Sequence, residues 1–144
     1  MTNTLFVIDT NVLVAGLITQ DTSSPTVKIV NAMLSGELFY LISPELLNEY
    51  KEVLSRPKLT KLHGLSEKEI DNLLIEFTAN GLWREPNNKN KPIAPDLGDQ
   101  HLWQLLSDEP NSTLVTGDKL LLEHQHPKAK IISASAFVVL VNPF

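Results

Sequence analysis

Short runs of consecutive apolar residues alternate along the chain with segments whose apolar residues recur at helical spacing. The runs predict strands at 5–8, 38–42, 112–116 and 130–132. The other segments predict helices from Val12 onward and over 25–34, 44–54, 66–80 and 99–108, with a short apolar helix or tail at 134–141. Unbroken apolar strands are typical of a parallel sheet covered on both faces. The alternation therefore predicts an α/β fold with a mainly parallel sheet and, since no linker separates two cores, one domain over 1–144.

Local signals mark where several of these segments begin and end. Ser66 and Glu69 form a capping-box pattern at the start of one helix. Residues 56–64 combine basic side chains with no clear periodicity, which predicts an irregular connector. The Pro- and Asn-rich segment 85–95 predicts a polar loop, and the chain after Asp118 predicts a poorly structured turn.

Composition narrows the classes of protein that fit this pattern. Apolar residues make up 42% and charged residues 20% of the chain, which is ordinary for a globular protein. The chain has no cysteine, which excludes disulfides, thiolate zinc sites and a Cys nucleophile. No apolar run is long enough to span a membrane, and the N-terminus lacks the basic region of a signal peptide, so we expect a cytoplasmic protein. The net charge of −5 argues against a general nucleic-acid coat protein.

Four acids are predicted to meet at one edge of the sheet. Asp9 and Asp118 each follow a strand, and ligands of open α/β sheets bind beyond the carboxyl ends of the strands. On the mid-chain helix, Glu49 lies beside Val53 at the edge of the apolar arc, since successive residues turn by about 100°. Asp99 stands on the core-facing stripe at the start of a later helix. The periodicity does not fix the direction of a fifth acid, Asp96, which precedes that helix.

Carboxylates gathered in this way would repel one another and raise one another's pKa values. A divalent cation removes that repulsion, and ligands that are all oxygen favour Mg²⁺ or Mn²⁺. Each acid also has an ordinary structural interpretation. Asp9 could be a turn residue, Asp99 a helix N-cap, Glu49 a solvated helix residue and Asp118 part of a Gly-Asp turn. The pattern alone leaves both interpretations open.

Specific strings add to this pattern. In order along nearly the whole chain, the sequence carries Ile8-Asp9-Thr10-Asn11-Val12, Glu45-Leu46-Leu47-Asn48-Glu49-Tyr50, Asp96-x-x-Asp99 and Val115-Thr116-Gly117-Asp118-Lys119-x-Leu121-Leu122. Together these strings resemble the PIN-domain nucleases, and most of all the PIN-family toxin components of prokaryotic toxin–antitoxin systems. The resemblance implies a three-layer fold with a mainly parallel central sheet flanked by helices.

The resemblance also implies an activity and a set of site residues. It implies a metal-dependent endoribonuclease that uses Mg²⁺ or Mn²⁺, acts on RNA, is held inactive by a cognate antitoxin and, by analogy, forms a homodimer. The acids that match the catalytic metal site of the family are Asp9, Glu49, Asp99 and Asp118, with Asn11 and Thr116 as supporting residues and Asp96 as a less central acid. One position departs from the family pattern. Many members carry a further acid directly before the one that matches Asp99, whereas Gly98 stands there in this chain.

Basic residues outside these strings are candidates for contacts with the RNA backbone. They are Arg56, Lys58 and Lys61 in the connector, Lys89 and Lys91 in the later loop, and Lys119 beside the last acid. Lysine and arginine neutralise backbone phosphates in most nucleic-acid complexes. A solvated surface is the alternative interpretation for these residues.

Histidine and tryptophan offer weaker signals. His124 and His126 could bind a metal but are interpreted as surface residues, and His101 is a weaker ligand candidate inside the helix that begins at 99. Trp83 and Trp103 could stack on bases, although the helical spacing of Trp103 favours a core position.

Two other functions fit parts of the sequence. A phosphoryl-transfer or receiver domain also places an Asp after its first strand, but the second apolar strand here ends in Ser43-Pro44 with no acid. A non-catalytic PIN-like module that binds nucleic acid or protein would have lost an acid of the site. All four are present, which favours an active enzyme.

Overall fold

The computed structural model of the chain describes residues 4–87 and 91–141. Its strands are β1 (Leu5–Ile8), β2 (Leu41–Ile42), β3 (Leu82–Trp83), β4 (Ser112–Val115) and β5 (Lys130–Ile132). Its helices are α1 (Thr10–Ile18), α2 (Pro25–Ser35), α3 (Pro44–Leu54), α4 (Pro57–His63), α5 (Glu67–Asn80), α6 (Gln100–Asp108), α7 (Lys119–Glu123) and α8 (Ala134–Leu140), and a single 3₁₀ turn (Leu97–Asp99) precedes α6.

Every described strand pairing is parallel. β1 pairs with β4 and β4 with β5, and β2 pairs separately with β3. An isolated parallel bridge between Phe6 and Tyr40 connects the two ladders, and the Phe6 amide donates to the Phe39 carbonyl at 2.9 Å. The strands therefore lie in the order β3-β2-β1-β4-β5, with β1 and β4 at the centre. Their carboxyl ends, which lead to Asp9 and Asp118, meet at one edge.

The two central strands are covered on both faces. Consecutive residues of β4 are all buried, and so are Phe6, Val7 and Ile8 of β1. The rings of Phe6 and Phe137 meet edge to face at 4.8 Å, which packs α8 against the sheet. This burial explains why the strands are continuous apolar runs and confirms the predicted α/β architecture.

The segment predicted as an irregular connector is instead mostly helical, so that prediction is wrong. Residues 57–63 form α4, which begins with Pro57 at its first position and ends at Gly64. Gly64 has a φ of 70°, a left-handed conformation that glycine adopts without strain. Proline at the start and glycine just past the end are helix signals. The apolar stripe between them is too short for periodicity to predict the helix.

Three further elements differ from their predictions. The second strand is shorter than 38–42, because only Leu41 and Ile42 form the β2 ladder. Its partner β3 was not predicted, since two residues carry too little pattern. The chain after Asp118 forms α7 rather than a poorly structured turn, and the Asp118 side chain accepts a hydrogen bond from the Leu120 amide at its start. The capping box of α5 is present as predicted.

No helix within the described ranges is long and apolar enough to cross a membrane.

Candidate active site

Asp9 lies at the end of β1 and is only 4% exposed. Its Oδ1 accepts from the Thr10 amide at 2.8 Å, which caps α1. Its Oδ2 accepts from the Thr116 hydroxyl at 2.7 Å and, more weakly, from the Asn11 amide at 3.4 Å. Both carboxylate oxygens are therefore held in place, so the Asp9 side chain has a fixed orientation in the site.

Hydrogen bonds of Thr116 and Asn11 connect the ends of the two central strands. The fully buried Thr116 hydroxyl donates to Asp9 and accepts from the Asp118 amide at 3.0 Å. Oδ1 of Asn11 accepts from the Gly117 amide at 3.0 Å, so the start of α1 is bonded to the loop that follows β4. These two polar residues set the spacing between the strand ends that carry Asp9 and Asp118.

Glu49 reaches the same place from α3. The helix starts at a Ser43 cap, and its buried face includes Tyr50, whose hydroxyl donates to the Ile8 carbonyl. Because Ile8 precedes Asp9 and Tyr50 follows Glu49, this bond fixes α3 beside the end of β1. Glu49 is half-buried, whereas Glu45 and Glu52 of the same helix are exposed. This is the arrangement that the helical periodicity predicted.

Asp99 and Asp96 occupy the 3₁₀ turn that leads into α6. Asp99 is partly buried and stands at the N-cap position of α6, where its side chain makes no capping hydrogen bond. Asp96 is exposed, and its Oδ1 accepts from the Gly98 amide at 3.0 Å. Asp96 thus shapes the turn, while Asp99 is directed to the site.

The four acids line one surface cavity of about 410 Å³. Asp9, Glu49, Asp99 and Asp118 contribute carboxylates, and Asn11 and Arg56 also line the cavity. A larger groove of about 690 Å³ lies between α3 and α5, and its lining, which includes Leu47, Leu74 and Ile75, contains none of the four acids. The structure therefore gathers the predicted acids in this smaller cavity rather than in the groove between α3 and α5.

Burial and the neighbouring acids raise the pKa values of two carboxyl groups in the cavity. Burial raises the pKa of Asp99 to about 6, with further increases from the charges of Asp9, Asp118, Asp96 and Glu49. Burial also raises the pKa of Asp9, against the lowering effect of its hydrogen bonds to Thr116 and Thr10. Their neighbours therefore do not fully compensate the negative charges of these acids.

The donor set fits a hard divalent cation, although the side chains do not form a finished coordination sphere. The ligands on offer are carboxylate oxygens, which Mg²⁺ and Mn²⁺ prefer. Within residues 4–87 and 91–141, no group of three or more Asp, Glu and His side chains is arranged as a metal site. Asp9 is held by hydrogen bonds, whereas the Asp99 side chain makes no capping bond, so binding of a cation by several of these acids would require a side chain such as that of Asp99 to move toward the others.

One of the candidate RNA-contacting cations lines this cavity, and the others lie elsewhere in the chain. Arg56 lines the cavity and pairs with Glu52 at 3.3 Å. Lys58 and Lys61 are exposed on α4, and Lys119 is exposed on α7 beside Asp118. Of the two candidates from the later loop, Lys91 is paired with Asp108, and Lys89 lies outside the described residues.

One histidine departs from its prediction. His126 is not a surface residue: it is 5% exposed, meets the Trp103 ring edge to face and forms a hydrogen bond with the Ser107 hydroxyl at 2.9 Å. Its other ring nitrogen, Nδ1, accepts hydrogen bonds from the Lys128 and Ala129 amides. His126 therefore stabilises the turn through contacts that periodicity cannot predict. His124 is exposed as predicted. His101 contacts the site through Glu49, a pairing between distant segments that carried no sequence signal.

The tryptophans divide between core and surface. Trp103 is buried, as its spacing predicted, and Trp83 on β3 is exposed.

A family model for the PIN domain matches residues 6–120. The chain belongs to the PIN-domain family. The match includes β4, all of β1 except Leu5 and all four acids of the cavity, and it agrees with the resemblance of the sequence strings. The PIN domain is a nuclease-type fold, so the acidic cavity lies in a domain of the right kind for phosphodiester hydrolysis. No curated protein compared with the chain matches it.

Proposed function

We propose that this PIN domain is a metal-dependent endoribonuclease that hydrolyses RNA phosphodiester bonds with Mg²⁺ or Mn²⁺. The observation that carries the proposal is the single cavity at the carboxyl ends of β1 and β4 lined by Asp9, Glu49, Asp99 and Asp118. A domain of nuclease type with four carboxylates at this edge has the donors that metal-assisted hydrolysis requires.

The proposed roles follow from how each acid is held. Asp9 and Asp99 would hold the cation, Asp9 as the rigid ligand because both of its oxygens are already oriented by hydrogen bonds. Glu49 and Asp118 would complete the coordination, and one of them would accept a proton from the attacking water. Thr116 and Asn11 would keep the two strand ends in register.

A bound cation would lower the pKa of a water molecule and stabilise charge on the scissile phosphate. Such hydrolysis leaves a 5′-phosphate and a 3′-hydroxyl and does not need the 2′-hydroxyl of the substrate. Burial, and after it the charges of the neighbouring acids, raises the pKa of Asp99, and a cation bound at this position would favour its ionised form.

The substrate backbone would approach over the rim that carries Arg56. This side chain lines the cavity, and Lys58 and Lys61 follow it on the exposed surface of α4. Lys119 is exposed and directly follows Asp118, which lines the same cavity. Cations close to an acidic cavity would hold phosphates while the cleavage site itself stays negative.

We further propose that the nuclease is the toxin of a type II toxin–antitoxin pair in the cytoplasm. The support is the family membership together with the four sequence strings. The proposed partners are a cognate antitoxin protein and a second copy of the chain. Growth arrest on expression, relieved by a small DNA-binding protein encoded beside this gene, would support this role. Arrest that no neighbouring product relieves would contradict it.

One observation favours a second candidate, a non-catalytic module that binds nucleic acid or protein. In the described part of the chain, the acids are not arranged as a ready metal site. A binding module would use the same rim cations without hydrolysis. The cleavage experiment separates the two functions.

The test is cleavage of a mixed single-stranded RNA pool by the purified protein with Mn²⁺ or with EDTA, followed by mapping of the cut ends. We expect cleavage that needs the metal, leaves 5′-phosphates and disappears in Asp9→Asn. Glu76→Gln is the matched control, since it removes one negative charge from the exposed side of α5. Cleavage that persists in EDTA or in Asp9→Asn would overturn the mechanism. RNA binding without any cleavage would favour the binding module.

A further inference from the structure

His101 and Glu49 form a hydrogen bond that joins two helices at the candidate site. Nε2 of His101 lies 2.8 Å from Oε2 of Glu49, and the two residues come from α6 and α3. A carboxylate oxygen accepts only, so Nε2 is the donor. The bond attaches the acid from α3 to the first turn of α6, the same turn that follows Asp99.

Packing alone does not account for a histidine at this position. The second ring nitrogen, Nδ1, is buried and has no hydrogen-bond partner in the described residues. An unpaired buried polar atom is unfavourable, because it loses water without gaining a partner. An apolar side chain could occupy this space without that penalty. The feature that distinguishes His101 is therefore its bond to Glu49.

The bond also determines how Glu49 is presented. Glu49 lines the acidic cavity and a neighbouring cavity of about 440 Å³ that it shares with Gly98 and His101. Among the described residues, His101 is the hydrogen-bond partner of the Glu49 carboxylate. Without it, a long side chain at the junction of two cavities could rotate away from the other acids. With it, one carboxylate oxygen is fixed and Oε1 is left available.

We propose that His101 is a positioning residue for the nuclease site: it fixes the Glu49 carboxylate relative to Asp99, so that both acids can bind one divalent cation. The inference rests on the proposed function. It assigns His101 a role outside the coordination sphere, acting through Glu49. Groups that orient a ligating carboxylate typically contribute about 10–100-fold to metal affinity.

The test is calorimetric titration of the protein with Mn²⁺ alone, which reads the site without RNA. His101→Leu keeps the bulk and removes the donor, and we expect it to weaken Mn²⁺ binding about tenfold. His101→Gln can donate from its amide, so it should restore most of that affinity. His124→Leu removes an exposed histidine from the C-terminal end of α7 and should bind Mn²⁺ as the wild type does.

A double-mutant cycle separates positioning from a general structural effect. If His101 acts through Glu49, then His101→Leu causes no further loss of Mn²⁺ affinity when Glu49 is already Ala, which removes the acceptor of the bond. An equal loss in both backgrounds would overturn the inference, and so would wild-type affinity in His101→Leu. If the Leu variant does not fold, His101→Asn, whose amide is too short to reach, must lose affinity while His101→Gln keeps it.

Failure of the proposed metal-dependent function would give a different result in the same Mn²⁺ titration. If the wild-type protein binds no Mn²⁺, the metal-dependent function fails and the inference about His101 fails with it. If the wild-type protein binds Mn²⁺ and His101→Leu binds it equally well, the proposed function stands and only the role of His101 is refuted.

Discussion

At the scale of single residues, burial and then the charges of the neighbouring acids raise the pKa of Asp99. Its pKa in the folded protein is about 6, above its ordinary value of 3.8. A raised carboxyl pKa means that the folded state favours the protonated form. The stabilising contribution of Asp99 is therefore complete below its ordinary pKa and is lost as the pH rises through about 6.

This sign gives a prediction for the metal-free protein. Asp99→Asn should raise the free energy of unfolding in EDTA, and the gain should be larger at about pH 7.5 than at about pH 4.5. Urea unfolding of both proteins at the two pH values measures the difference. If the variant is instead less stable than the wild type at the higher pH, other groups of the protein already compensate the negative charge of Asp99 without a cation, and the prediction is wrong.

Arg56 gives a second prediction at this scale, concerned with RNA rather than stability. Because its guanidinium lines the acidic cavity, Arg56→Gln should weaken RNA binding. The slope of log affinity against log salt concentration should fall by about 0.7, the value for one phosphate contact on a single strand. Lys68→Gln, on the exposed surface of α5, is the control that should leave the slope unchanged. An unchanged slope in Arg56→Gln would place Arg56 outside the RNA path.

At the scale of elements, two buried tyrosines provide a matched pair. Tyr50 bonds the Ile8 carbonyl and Tyr40 bonds the Phe77 carbonyl, each across the core. Replacing either with Phe removes one buried hydrogen bond, which should lower the free energy of unfolding by about 1–2 kcal/mol. Only Tyr50→Phe should also weaken Mn²⁺ binding, because its bond ties α3 to the end of β1. Denaturation and calorimetry on both variants test this, and equal Mn²⁺ affinities would show that the bond is structural only.

The crossing of α1 and α2 gives another prediction for an element. A Cβ at Gly16 would lie 2.6 Å from the Thr26 carbonyl oxygen and from a methyl group of Val30. Gly16→Ala should therefore force the helices apart and destabilise the protein by about 1–3 kcal/mol. At Gly98 the nearest atom would be 3.6 Å away, so Gly98→Ala should change the stability by less than about 0.5 kcal/mol. Similar stabilities for the two variants would refute the close approach.

Periodicity predicted the elements that bury a long apolar face and missed the short ones. The strands 5–8 and 130–132 and the helix 44–54 agree with the structure, since each carries several apolar residues in a fixed pattern. β3 and α4 are short or exposed, and their formation depends on a neighbouring strand or on end signals. Helical geometry also singled out Glu49 correctly, because the exposure of a helical residue follows from its angle alone.

Contacts between distant segments could not be predicted in the same way. The bonds from His101 to Glu49 and from Tyr50 to Ile8 join residues far apart in sequence. Neither residue type is unusual in its own helix, so no local pattern marks the pairing. The burial of His126 depends likewise on a turn that brings it against Trp103.

At the scale of the whole molecule, the parallel sheet explains why acids separated by more than a hundred residues share one cavity. Parallel pairing of β1 with β4 brings the strand ends at Ile8 and Val115 side by side, and Asp9 and Asp118 follow them. Helix α3 supplies Glu49 and the 3₁₀ turn before α6 supplies Asp99 to the same cavity. The fold thus creates a concentration of negative charge that it does not itself neutralise.

Whether this cavity is a divalent-cation site is tested most directly by the stability of the protein with and without Mn²⁺. Ligand that binds only the folded state at 100 times its dissociation constant adds about 2.7 kcal/mol to the free energy of unfolding. We expect a gain of this kind for the wild type and for Glu76→Gln, and none for the double variant Asp9→Asn/Asp99→Asn. No gain in the wild type, or an equal gain in the double variant, would contradict the account.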